Sequence, residues 1–179
     1  MPILKVGVRH SHGFTMIELG MVLLVLGIVG ALIIPRYGGV LERQQMRRTI
    51  NLLRGTVRYL HAHAAHTKRI YRLQFDLENQ VMSTCFLELD SENTCIEEAN
   101  QVLREHTFPD LVRIVDVINP QGEKIREGEA VTHFHPTGIA EPSIIHLATI
   151  QEQYMTLIIE PLTGNLRVHD GYVEPENTK

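Results

Sequence analysis

The chain has 179 residues, 44% of them hydrophobic and 21% charged, which leaves room for one ordinary soluble domain beside a membrane segment and argues against disorder. Its net charge of −4 hides an asymmetry: residues 36–69 hold eight Lys/Arg against one acid, Glu42, and residues 70–179 hold seven against nineteen Asp/Glu. A C-terminal portion with a net charge of −12 is poorly suited to phosphate backbones, so nucleic acid is not an expected partner.

Residues 1–13 contain Lys5 and Arg9 but no acid, as a charged leader would. From Phe14 to Ile34 there are 21 residues in which Glu18 is the one charge. As a helix this run is roughly 30 Å long, about the thickness of a bilayer's hydrocarbon core. A carboxylate at that depth costs on the order of 2.5–3.5 kcal/mol on insertion scales, which points to a retained purpose. Counting positive charge leaves the direction of insertion open, because Lys5 and Arg9 precede the run while Arg36, Arg43, Arg47 and Arg48 follow it. Pro35 and Gly38-Gly39 interrupt the helix, either as a plain end to the anchor or as a kink where it leaves the membrane.

A second, amphipathic helix is expected over 36–69, its regular part from Val40 to about Thr67. Leu41, Ile50, Leu53, Val57, Leu60 and Ala64 form its apolar face, and Arg43, Arg47, Arg54 and Arg58 flank it. The arginines read as a solvated flank, with contact to anionic lipid or to an acidic head of another subunit as the sharper reading. After Arg69 the period changes to two. Strands are expected at Ile70–Asp76, Val81–Leu89, Val112–Ile118, Ala130–Phe134, Ser143–Ala148, Met155–Ile159 and Leu166–His169, with polar loops over 90–107 and 119–129. The expected class is α+β: a long N-terminal helix, half membrane-spanning and half amphipathic, packed on an antiparallel β-sheet head. Cys85 and Cys95, ten residues apart, could close one disulfide in an oxidising compartment or stay as two thiols.

Gly13-Phe14-Thr15-Met16-Ile17-Glu18-Leu19, followed by an apolar helix and Pro35, resembles the signal of type IV pilins and type II secretion pseudopilins. Arg72-Leu73-Gln74-Phe75-Asp76 after the helix, Phe134-His135-Pro136-Thr137-Gly138, and Leu162-Thr163-Gly164-Asn165-Leu166-Arg167-Val168 resemble the H-type minor pseudopilin of type II secretion. The resemblance implies cleavage by a prepilin peptidase between Gly13 and Phe14, N-methylation of Phe14, and assembly through Glu18 and Pro35. It divides the chain into a leader (1–13), a transmembrane and assembly helix (14–35), an amphipathic helix (36–69) and a periplasmic head (70–179). It implies a single pass through a bacterial inner membrane with the head in the periplasm. Implied partners are other pseudopilins, the prepilin peptidase, an inner-membrane assembly platform and membrane lipid. The alternatives are a type IV minor pilin that primes pili or takes up DNA, and an uncleaved, membrane-anchored binding or sensor module.

Chemistry is not expected. His61, His63 and His66 contain no pair at the i, i+4 spacing that shares a helix face, and His133 and His135 flank an apolar residue on a strand. Asp170, Glu174 and Glu176 do not match the calcium loop associated with major pseudopilins. There is no phosphate-cradling loop, no nucleophile with a matched base and no zinc spacing, so neither an enzyme nor a cofactor is expected.

Overall fold

The structure is a computed structural model that describes residues 14–33, 38–88, 94–96 and 104–174. Residues 1–13, where a leader is expected, and Pro35 and Glu176 lie outside the described residues. Two compact units divide the chain, Met1–Val40 and Leu41–Lys179. The first carries helix α1 (Met16–Ile33) and the second is the head. The amphipathic helix α2 (Gly38–Thr67) belongs to the head from Leu41 onward, so it folds with the sheets and not with the apolar segment.

Among the described residues eleven strands follow α2: β1 (Ile70–Asp76), β2 (Val81–Leu87), β3 (Cys95–Ile96), β4 (His106–Thr107), β5 (Val112–Ile118), β6 (Lys124–Ile125), β7 (Glu129–His135), β8 (Ile139–Ala140), β9 (Ser143–Thr149), β10 (Tyr154–Ile159) and β11 (Leu166–Asp170). They form two antiparallel sheets. The first has the order β3-β2-β1-β7-β8, with β4 also on β2, and the second the order β11-β10-β9-β5-β6. The expected polar loops contain β3, β4 and β6, which are two-residue pairings too short to show alternation in sequence.

Helix α2 supplies the face that both sheets cover. Its buried residues are Met46, Ile50, Leu53, Val57, Leu60 and Ala64, at steps of four and three. Leu41 is 50% exposed, not part of this face, because nine residues separate it from Ile50 and Met46 holds the place one turn before. Tyr71, Leu73 and Phe75 of β1 and Phe134 of β7 join one continuous core with Ile114 of β5, Ile145 and Leu147 of β9 and Leu157 and Ile159 of β10. Two polar ties fasten sheet to sheet. The hydroxyls of Thr132 (β7) and Ser143 (β9) are buried 2.7 Å apart. The Gln80 side chain accepts from the Ile114 amide at 2.6 Å and donates to its carbonyl at 3.2 Å, as a strand neighbour would.

A third tie comes from α2. His61 Nε2 lies 2.9 Å from the Gly138 carbonyl oxygen, and its ring packs on Gly164. Gly164 has φ +61°, and a Cβ there would stand 2.3 Å from His61 Cγ. The Ala140 amide donates to the Pro161 carbonyl at 2.8 Å, so the loops containing Gly138 and Gly164 are also joined directly. Both glycine-containing motifs singled out in the sequence therefore meet at one histidine. Gly164→Ala combines a left-handed backbone with an overlap against a ring. It is expected to destabilise the head by roughly 2–5 kcal/mol, read as a lowered denaturant midpoint at unchanged m-value.

Candidate functional site

Thr15 precedes the first residue of α1, and its hydroxyl accepts from the Glu18 amide at 3.3 Å. Thr15-Met16-Ile17-Glu18 thus has the spacing of a capping box, with threonine at the N-cap and glutamate three residues on. Glu18 also lies in the first turn, where the helix dipole favours an anion. Local structure alone therefore gives this carboxylate a favourable position, a role that the apolar run conceals in the sequence. Glu18 shares one face with Met21, Val22, Val25 and Leu26, and a shallow concavity runs along these five side chains. All four apolar members are at least 47% exposed, and Phe14 is 80% exposed. The helix is apolar on every side, so solvent is not its natural surrounding.

Helix α1 has 18 residues, about 27 Å, somewhat short of the usual 20-residue span. Among the described residues no helix is long and apolar enough to cross a membrane. Gly13, on the leader side of Phe14, lies outside the described residues.

The structure joins Cys85 of β2 to Cys95 of β3 in a disulfide, with Cα atoms 5.5 Å apart. This pins the edge strand β3 to its neighbour, where two residue pairs alone would hold it.

The histidines go to separate tasks. His61 ties the two glycine loops, and His63 stacks on Tyr59 with ring centres 4.9 Å apart. His133 Nδ1 lies 2.8 Å from Glu141 Oε2, with Arg72 Nε donating to its Nε2 at 3.4 Å, and His135 Nε2 is 4.0 Å from Glu141 Oε1. Among the described residues no three His, Cys, Asp or Glu are grouped to hold a metal ion. Asp170 is exposed at the end of β11, and Glu174 pairs with Lys124 at 2.6 Å.

One buried polar cluster goes beyond what the sequence pattern predicts. Asp116 of β5 and His146 of β9 are directly opposite in register, and their side chains are almost wholly buried. His146 Nδ1 is 2.6 Å from Asp116 Oδ1, its Nε2 is 3.0 Å from the Val173 carbonyl oxygen, and Tyr172 donates to Asp116 Oδ2 at 2.9 Å. The Tyr172 ring stacks on the imidazole at 3.9 Å. Thr156 Oγ1 donates to the Gly171 carbonyl and accepts from the Val173 amide. The segment 171–174 is thereby strapped across the second sheet. A β-bulge between Ile114 and Asp116 makes this possible, since the extra residue turns Asp116 to the face of His146. The visible signal was one aspartate and one histidine in otherwise apolar strands, but pairing them requires the bulge.

Burial raises the Asp116 carboxyl, but the hydrogen bonds from His146 and Tyr172 and the charges of His146 and Lys124 outweigh it, and the group sits below its ordinary 3.8. Burial first, then the Asp116 hydrogen bond, raises the Tyr172 phenol against the opposing effect of Lys124.

A pilin-like α+β fold is what these elements define: one long amphipathic helix sheathed by antiparallel strands, preceded by an apolar helix. No family model matches the sequence, and no curated protein matches it. Solved structures do match. A structure of the minor pseudopilin EpsH from the type 2 secretion system of Vibrio cholerae superposes with a TM-score of 0.58 at 9% identity, covering 73% of this chain and 99% of that one. A second structure of EpsH gives 0.57 at 9% identity, over 70% and 96%. The type IV minor pilin FimU of Pseudomonas aeruginosa gives a looser match, 0.47 at 15% identity, over 75% and 96%. The fold is similar to that of EpsH, and at 9% identity the likeness is one of fold alone.

The Asp116 cluster yields a pH prediction. The folded carboxyl is below the unfolded value of 3.8, so its contribution is fully present above 3.8 and is lost as pH falls through the lower, folded value. Asp116→Asn is expected to lose that acid-side dependence. His146→Leu is expected to cost roughly 1–3 kcal/mol, because it leaves the buried Asp116 carboxylate without one of its hydrogen-bond partners. Urea denaturation from pH 7 down to pH 3 checks both.

Proposed function

We propose that this chain is a minor pseudopilin of a type II protein secretion system. It is inserted in the inner membrane, cleaved after Gly13, N-methylated on Phe14 and assembled through α1 into a short periplasmic fibre. It is a structural subunit and carries out no chemistry. Its partners are other pseudopilins, the prepilin peptidase, an assembly platform in the inner membrane and the surrounding lipid.

The observation that carries this reading is a conjunction within one chain. The head has the fold of a minor pseudopilin, and the helix that precedes it is apolar all round but begins on a carboxylate four residues after Phe14. Cleavage after Gly13 would leave an amine on Phe14 near the membrane edge. Glu18 would lie about one turn deeper, where hydration is poor. A neighbour displaced along the fibre axis brings its own Phe14 amine to that carboxylate, and the pair neutralises both charges. In the isolated monomer Glu18 has no such partner, so burial in lipid penalises the monomer relative to the fibre. The disulfide between Cys85 and Cys95 suits an oxidising compartment such as the periplasm.

Two variants separate the cap from the charge. Glu18→Gln keeps a side chain that suits a capping box but removes the anion, and Thr15→Ala removes the N-cap at a cost of about 1 kcal/mol. With this chain as the limiting subunit, Glu18→Gln is expected to insert normally yet lower its recovery in sheared fibres at least about tenfold, the scale of one lost buried ion pair. Thr15→Ala is expected to assemble nearly normally. Normal incorporation of Glu18→Gln would remove the pairing role.

A further inference from the structure

The head carries a groove that the proposed assembly through α1 does not use. It lies between the N-terminal half of α2 and the β9–β10 turn, has a volume of about 270 Å³, and is floored by Met46, Ile50 and Met155. Arg43 and Arg47, one helical turn apart and both exposed, stand at its side, and Asp170 is the one acid in its lining. Among the described residues neither arginine makes an ion pair. Glu42, the lone acid of the 36–69 stretch, is buried and is not part of the groove.

The complementary surface lies on the other sheet of the same head. The Leu77 amide donates to the Gly128 carbonyl at 3.0 Å, which brings the β1–β2 turn beside the loop that leads into β7. Asp76, Glu78, Glu127 and Glu129 gather there, with Arg126 as the one cation in the two turns. Asp76 and Glu129 are directly opposite in the β1–β7 register. Like charges in that position oppose each other, and a sheet gains nothing from the arrangement. Among the described residues Glu78, Glu127 and Glu129 have no ion-pair partner. The Asp76 carboxylate accepts the Glu78 and Asn79 amides, which fixes the turn and leaves Glu78 and Asn79 exposed at its tip.

We propose that the Arg43–Arg47 groove is a docking site for the acidic β1–β2 turn of a second copy of this chain. Glu78 of the incoming turn pairs with the two arginines, and the Asp76–Glu129 edge gains the cations it lacks. The two surfaces belong to different sheets of one head, so the contact is heterologous: each copy offers a free groove and a free turn. Such a contact extends into an open series and does not close on itself as a symmetric dimer would. It deepens the fibre reading and rests on it, since it describes how neighbouring heads would set their register beyond α1.

The test uses the full chain in membranes of cells expressing it, with R43K and R47K placing amines where a zero-length carbodiimide can join them to a carboxylate. Half of the protein is labelled with heavy nitrogen, so a peptide pair of mixed isotopes marks a bond between two copies. The expected product joins position 43 or 47 of one copy to Glu78, Glu127 or Glu129 of another. Its yield is expected to fall at least about tenfold when Glu78→Gln and Glu129→Gln are added. A charge-reversal arm guards against a trivial loss of structure. R43E/R47E alone and E78K/E129K alone each remove crosslinks between copies by a bifunctional amine reagent, and mixing the two chains restores them as mixed pairs. Crosslinks confined within one copy, crosslinks to carboxylates of a different protein, or a yield indifferent to Glu78→Gln and Glu129→Gln would each overturn the contact. A chain that is cleaved before Phe14 and recovered in fibres, yet gives no mixed pair, sinks the contact alone and leaves the fibre reading in place.

Discussion

The head depends on one stripe of α2. Met46, Ile50, Leu53, Val57, Leu60 and Ala64 join residues of both sheets in one continuous apolar core. Neither sheet could bury Phe75 and Phe134, or Ile145 and Leu157, without that helix between them. The sheets touch each other through specific polar ties: Thr132 to Ser143, and Gln80 to the backbone of Ile114. Hydrogen bonds of this kind give little net stability when made and cost more when one partner is removed. They fix how the sheets are placed, while the apolar stripe supplies the reason to fold.

The same logic separates the two helices. Helix α2 has one apolar face and spends it inside the head. Helix α1 is apolar all round, and its apolar side chains from Met16 to Val29 are exposed. In the proposed fibre, lipid and neighbouring helices of the same kind would be its two surroundings, and Glu18 would distinguish them. The capping geometry at Thr15 refines this argument. It shows that Glu18 is compatible with the start of the helix, so local backbone structure does not disfavour the carboxylate.

Much of this was legible in the sequence where a period repeats. The alternation in Ile70–Asp76 and the three-four spacing from Ile50 to Ala64 correspond to elements with those bounds or nearly so, and the strand expected at Val112–Ile118 is present. Leu41 lies off the apolar face because its interval to Ile50 is not a helical step, and Met46 takes the place one turn before Ile50. Two-residue strands such as β3 and β6 carry no period at all. Pairings across the fold were hidden for a different reason. His61 reaches Gly138 over 77 residues, and Asp116 meets His146 only because a bulge shifts the register. No local pattern encodes a distance of that kind. The motif from Gly13 to Leu19 speaks through its chemistry and not through contacts that the head could reveal.

The central claim is that this chain is a processed fibre subunit, and the N-terminus of the mature protein tests it most directly. Intact-mass spectrometry of the full chain, extracted from membranes of cells with an active prepilin peptidase, should give a polypeptide that begins at N-methylated Phe14. The unprocessed mass, still carrying Met1 or ending its leader anywhere other than Gly13, would contradict the account.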